Sequence, residues 1–162
     1  MFCRAGFTAV ESLISLAVSV FLLAGLLSVF VICNRYWHIT SLDMSTTRGG
    51  SSCLQQMVYG VGTNIGLRGA YWVTNSGTAT NWALQSSNYY GRISYTYSPA
   101  SKTVVFSNAT SSRVIGTNIV ASQVTNTAFG LSISVTLQQT DGRFTEGNTL
   151  STYVKLRAPK QQ

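Results

Sequence analysis

The stretch Gly6–Cys33, GFTAVESLISLAVSVFLLAGLLSVFVIC, limits what this chain can fold into more than any other. From Phe7 to Cys33 it carries one charged side chain, Glu11, and no proline. As a helix it would be about 40 Å long at 1.5 Å per residue, more than a hydrocarbon core of roughly 30 Å requires. The residues before it, MFCRAG, hold one positive charge, Arg4. A secretory signal would place small residues at a cleavage site behind the apolar run. Here Asn34-Arg35-Tyr36-Trp37 follow the run, and the small pair Ala5-Gly6 lies in front of it. The polarity of a secretory signal is reversed, so the segment reads as an anchor with any processing site ahead of it.

Glu11 is the informative residue within that anchor. A carboxylate in an apolar span costs a few kcal/mol unless it finds a partner, and such groups mark function. A cut after Gly6 would create an α-amino group on Phe7, four positions before Glu11, and so supply an opposite charge at the same depth. A short basic leader, Gly, then Phe-Thr-x-x-Glu and an apolar helix resembles the prepilin signature of type IV pilins and type II secretion pseudopilins. The resemblance implies that a prepilin peptidase cuts between Gly6 and Phe7 and methylates the new terminus. It implies that Glu11 registers each subunit against its neighbour in a helical filament. It also sets the orientation, leader inside and domain outside, because Arg4 on one flank is balanced by Arg35 and Arg48 on the other.

The rest of the chain suits an extracytoplasmic surface. Only 9% of residues are charged, with Ser, Thr, Asn, Gln and Gly abundant, and the 162 residues leave room for one small domain beyond the helix. Losing the leader removes Arg4 and lowers the formal charge of +7 by one. Cys3 lies in the leader. Cys33 and Cys53 would sit about 30 Å apart on one helix, beyond disulfide reach. Both read as small apolar packing residues, with an intermolecular bridge as the alternative.

Ser12, Ser15, Ser19, Ala24 and Ser28 put small residues at spacings that let membrane helices approach, though such residues are common in any membrane helix. Leu54, Met57, Val58, Val61 and Ile65 then repeat at the helical period. Between Arg35 and Cys53 the pattern is weaker, and Arg48-Gly49-Gly50-Ser51 invites a bend. Asn64-Ile65-Gly66-Leu67-Arg68-Gly69-Ala70-Tyr71 resembles, in degenerate form, the motif that closes the helix in W-type minor pilins, with Asn64 in the acidic place. Trp72–Gly91 reads as turn-rich, with Asn75-Ser76-Gly77 and Ser86-Ser87-Asn88. Beyond it the period becomes two. Arg92–Tyr97 and Lys102–Phe106 form a hairpin, and Val114-Ile115 and Ile119-Val120 flank a Gly-Thr-Asn turn. In Phe129–Gln139, Leu131, Ile133, Val135 and Leu137 face one way. Asp141-Gly142 and Glu146-Gly147-Asn148 are expected to break that strand. A last strand, Thr149–Arg157, turns Leu150, Val154 and Leu156 inward.

These patterns predict an α+β fold in which a long N-terminal helix packs on an antiparallel sheet, the architecture the pilin resemblance also implies. The expected divisions are a leader at 1–6, a membrane-spanning half of the helix at 7–33, an amphipathic half at 34–68 and a β-rich domain at 69–162.

Chemistry is sparse. The one histidine, His38, follows Tyr36 and Trp37 and reads as a polar tip at the membrane surface. No His/Cys/Asp cluster has metal-ligand spacing, so no metal, cofactor or enzymatic activity is expected. Asn108-Ala109-Thr110 fits a glycosylation sequon, a pattern common by chance. By resemblance the chain is a minor pilin of the W-type or a J-type pseudopilin in the inner membrane, single-pass with an extracytoplasmic domain. It would then enter a pilus or pseudopilus at low abundance, in an initiating or tip complex. Implied partners are other minor and major pilins, the prepilin peptidase, the inner-membrane assembly platform and the lipid bilayer before assembly. The alternative is a DNA-binding minor pilin of a natural-transformation pilus, with Arg143, Lys155, Arg157 and Lys160 contacting phosphates. These four also read as solvated positions on a sheet face.

Overall fold

The computed structural model describes residues 8–70, 72–78, 80–88, 91–127 and 129–156. Helix α1 runs from Ala9 to Tyr59. The chain divides into two compact units, Met1–Thr40 and Ser41–Gln162.

In the first unit every described residue from Thr8 to Trp37 is exposed. The exposed side chains include Leu13, Ile14, Phe21, Leu22 and Phe30, an apolar surface with no protein cover. The helix is long and apolar enough to cross a membrane. Its serines fit that setting. The Ser19 hydroxyl donates to the Ser15 carbonyl at 2.8 Å, and the Ser28 hydroxyl to the Ala24 carbonyl at 2.9 Å. With these bonds made inside the helix, the two hydroxyls need no partner helix to satisfy them in lipid.

In the second unit α1 buries one face. Leu42, Thr46, Gly50, Cys53, Leu54 and Met57 are buried, at spacings that keep to one side of a 3.6-residue helix. Sequence periodicity catches the last part of this face and misses its start, because Thr46 and Gly50 carry no apolar signal. The helix continues unbroken through Arg48–Ser51, where a bend was expected. Gly50 is there for contact: a Cβ on it would collide with Leu150 Cδ1 and lie 2.7 Å from Leu137 Cδ1.

The helix stops at Tyr59 rather than continuing to 68. Gly60 takes φ +114°, a left-handed conformation that ends the helix. Its N–H donates to the Gln56 carbonyl, and the Gly66 N–H to the Tyr59 carbonyl, each at 3.0 Å. Val61 and Ile65 thus keep the apolar spacing outside the helix. A 3-10 turn, Leu67–Gly69, follows and buries Leu67.

Among the described residues eight strands form two antiparallel sheets, where one was expected. The first sheet is a meander of β1 (Trp72–Thr78), β2 (Asn81–Asn88), β3 (Gly91–Ser98), β4 (Thr103–Asn108) and β5 (Ser112–Gly116), ordered as in the chain. The second has β6 (Ile119–Thr127), β7 (Gly130–Asp141) and β8 (Phe144–Lys155). The region expected to be turns, Trp72–Gly91, holds the β1–β2 hairpin. There Trp82, Leu84 and Ser86 alternate inward while Asn75-Ser76-Gly77 lies within β1. Asn, Ser, Thr and Gly make up most of it, and even the inward positions include Asn75 and Ser86, so the period of two was hidden behind turn-forming residue types. The Gly-Thr-Asn turn after β5 carries the chain from one sheet to the other, with Asn118 at φ +59°.

Buried polar bonds tie the sheets together. The Trp82 indole donates to Ser122 Oγ at 3.3 Å, and the Ser122 hydroxyl donates to the Ser134 carbonyl at 2.9 Å. The Tyr97 hydroxyl donates to the Ile119 carbonyl at 3.2 Å. Strand β7 alternates as its sequence implies, with Leu131, Ile133, Val135 and Leu137 buried. Strand β8 runs through Glu146-Gly147-Asn148 without a break, held by continuous pairing to β7. Asn148 faces the helix and donates from Nδ2 to Thr47 Oγ1 at 2.9 Å, which explains a polar residue there.

The Gly50 contact gives a test. Gly50→Val should lower stability by about 1–3 kcal/mol by overpacking, read as a lower urea midpoint of the detergent-solubilised protein. Gly25→Ala, where a Cβ meets nothing within 4 Å, should leave the midpoint in place. Equal midpoints for Gly50→Val and wild type would contradict the close approach.

Candidate functional site

The helix start comes first. Thr8 and Glu11 form a reciprocal cap. The Thr8 N–H donates to Glu11 Oε2 at 3.0 Å, the Thr8 hydroxyl to the same oxygen at 3.1 Å, and the Glu11 N–H to Thr8 Oγ1 at 3.3 Å. This is a capping box: a threonine before the helix and a glutamate three residues on satisfy backbone donors that a helix otherwise leaves open. In an apolar medium those donors are costly to leave bare. The Thr-x-x-Glu spacing was legible in the sequence, and only the charge of Glu11 was read from it. Both side-chain bonds fall on Oε2, so among the described residues Oε1 stays available. Gly6 and Phe7, the expected processing bond, lie outside the described residues.

Of the four expected basic residues, the two described ones stand apart. Arg143 is exposed in the turn between β7 and β8, and Lys155 is exposed at the last residue of β8. At about 3.3 Å per strand residue they stand about 40 Å apart. Arg157 and Lys160 lie outside the described residues. Tyr153, exposed on the same side as Lys155, has its hydroxyl 3.4 Å from Thr127 Oγ1.

Other marked residues have structural partners. Asn108 accepts at Oδ1 from the Thr110 N–H at 3.0 Å and the Ser111 N–H at 2.6 Å, so it builds the turn after β4. Its Nδ2 donates to Asn64 Oδ1 at 3.4 Å, fastening the segment after the helix to that turn. Among the described residues no group of three or more His, Cys, Asp or Glu side chains could hold a metal ion.

Cys33 is exposed and Cys53 buried, and both are free. Burial pushes the Cys53 thiol up to about 12. It also raises the phenol of Tyr95, whose hydroxyl donates to the Gln56 carbonyl at 3.3 Å. Cys53 is therefore a neutral packing group.

Sequence reading missed a groove of about 470 Å3 between α1 and β8. Residues Ser51–Tyr59 of the helix line one side and Leu150–Lys155 the other, with Arg68 at the edge. The Arg68 guanidinium lies 5.7 Å from the centroid of the Tyr59 ring. Arg68 and Lys155 are far apart in sequence, which is why no pattern pointed to the pair.

No family model, curated protein or solved structure matches this chain.

In a Cys3→Ser, Cys33→Ser protein, Cys53 should resist maleimide from about pH 7 to pH 10, where an ordinary thiol ionises. Labelling should become fast in urea. Fast labelling under native conditions would contradict its burial.

Proposed function

We propose that this chain is a minor subunit of a type IV pilus or pseudopilus, held in the inner membrane by α1 and drawn into the filament after a cut between Gly6 and Phe7. Its role is structural, with no reaction of its own. The observation that carries the reading is the division of labour along α1. From Thr8 to Trp37 the helix has an uncovered apolar surface, and from Leu42 to Met57 it buries one face in a β-rich domain. An uncovered apolar helix needs lipid or other helices. Transfer from bilayer to filament would exchange one apolar surrounding for another.

Glu11 then has two tasks. Through Oε2 it completes the cap with Thr8, and Oε1 would accept from a Phe7 α-amino group of the same chain or a neighbour. The architecture is α+β, and the pilin-like assignment within that class draws on this helix start. The DNA-binding alternative has less support, since Arg143 and Lys155 lie at opposite ends of β8.

Two substitutions separate the tasks of Glu11. Glutamine can serve in a capping box but carries no charge. Glu11→Gln should keep helix start and membrane insertion, yet enter filaments as poorly as Glu11→Ala, as measured by subunit content of sheared filaments. If Glu11→Gln assembles like wild type, the carboxylate's charge has no part in assembly and the cap alone explains Glu11.

A further inference from the structure

Among the described residues the three-stranded sheet ends on β8, whose strand neighbour is β7 alone. A terminal strand offers a row of backbone donors and acceptors, and proteins usually blunt such edges with proline, bulges, charge or short length. Strand β8 has neither proline nor bulge, and its charges, Glu146 and Lys155, lie toward its two ends. It is 12 residues long, pairs with β7 without a register shift, and contains no proline. The outward side chains over its second half are Thr149, Ser151, Tyr153 and Lys155.

The groove beside it has an informative lining. Leu150 to Lys155 contribute as consecutive residues. Neighbouring strand residues point to opposite faces, so an unbroken run of six lines one groove only along the strand's edge, where the backbone meets it. The far wall is the flank of α1 that carries Leu54, Val58 and Tyr59. Leu54, Val58 and Leu150 supply apolar surface, and among the described residues the charged groups in the lining are Arg68 and Lys155, with no acid.

We propose that this groove receives an extended segment of a different subunit, which adds to β8 as a further strand and presents a carboxylate to Arg68 and Lys155. Leu150–Lys155 spans about 20 Å, enough for roughly six residues of strand. The segment's main chain bonds β8, alternate side chains rest on Leu54 and Val58, and an Asp or Glu meets the two cations. A second copy of this chain fits poorly. Its acids beyond Glu11 are Asp43 in α1, Asp141 in β7 and Glu146 in β8; only Glu146 lies on a strand with an open edge, and it shares the half-buried face with Asn148 and Leu150, not the face of Lys155. The inference rests on the proposed filament role only for calling the partner a subunit.

The test uses full-length protein in detergent and three labelled peptides of alternating valine and threonine. One carries a central glutamate, one a lysine in its place, and one the glutamate with alternate backbone nitrogens methylated. Fluorescence anisotropy should show saturable binding of the glutamate peptide, at least about tenfold tighter than the lysine peptide. Methylation should abolish binding, because it removes the main-chain donors. Arg68→Glu, and separately Lys155→Glu, should reduce the preference for glutamate. No saturable binding, indifference to methylation, or equal displacement by a single-stranded oligonucleotide would overturn the proposal. These readouts do not involve Gly6, Phe7 or Glu11, so failure here is distinguishable from failure of the filament role.

Discussion

The close approach of α1 to both sheets is the contact on which the second unit depends. Gly50 lets the helix meet Leu137 and Leu150 of the three-stranded sheet. One turn on, Cys53 lies where Gly116 of β5 has no side chain: a Cβ on Gly116 would come 2.7 Å from Cys53 Sγ. Small residues therefore stand at both contacts, on the helix in one case and on the strand in the other. Interiors are packed too tightly to absorb an added side chain at such points without shifts. With the helix seated this way, Met57, Tyr95, Phe106, Ile133 and Val135 close into one core. The groove beside β8 is the space left along the flank of the same helix.

That seam also explains what could be read from residues alone. Strand β7 was legible because large apolar side chains at alternate positions announce a half-buried strand. The membrane-length helix was legible because its apolar run is long and interrupted by one charge only. The β1–β2 hairpin was not, since Asn, Ser and Gly are turn-forming types that here lie within paired strands, Ser86 even on the buried side, while the inward apolar signal rests mainly on Trp82 and Leu84. The helix end was misplaced because Val61 and Ile65 continue the spacing, whereas one glycine at φ +114° decides the geometry. Two sheets in place of one follow from the turn at Asn118, whose sequence reads the same whether it joins neighbours or crosses between layers.

At the candidate site, the Thr8–Glu11 pairing was available in the Thr-x-x-Glu spacing, and the structure adds that the carboxylate is a cap as well as a charge. The basic residues teach the opposite lesson. Arg143 and Lys155 flank one strand in sequence and are kept apart by that strand's length. Arg68 and Lys155 share a groove because the turn after α1 folds back beside β8. Proximity of charge in sequence carries little information once strands are extended, and tertiary packing creates the pairs that matter.

The central claim is that the apolar helix begins, in the working protein, at a freshly made Phe7 terminus four positions from Glu11. Intact-mass measurement of the protein extracted from membranes of cells containing a prepilin peptidase tests it most directly. The account predicts a chain starting at Phe7 and carrying one added methyl group. A chain that retains Met1 in those cells, or one cut after Cys33, would contradict it.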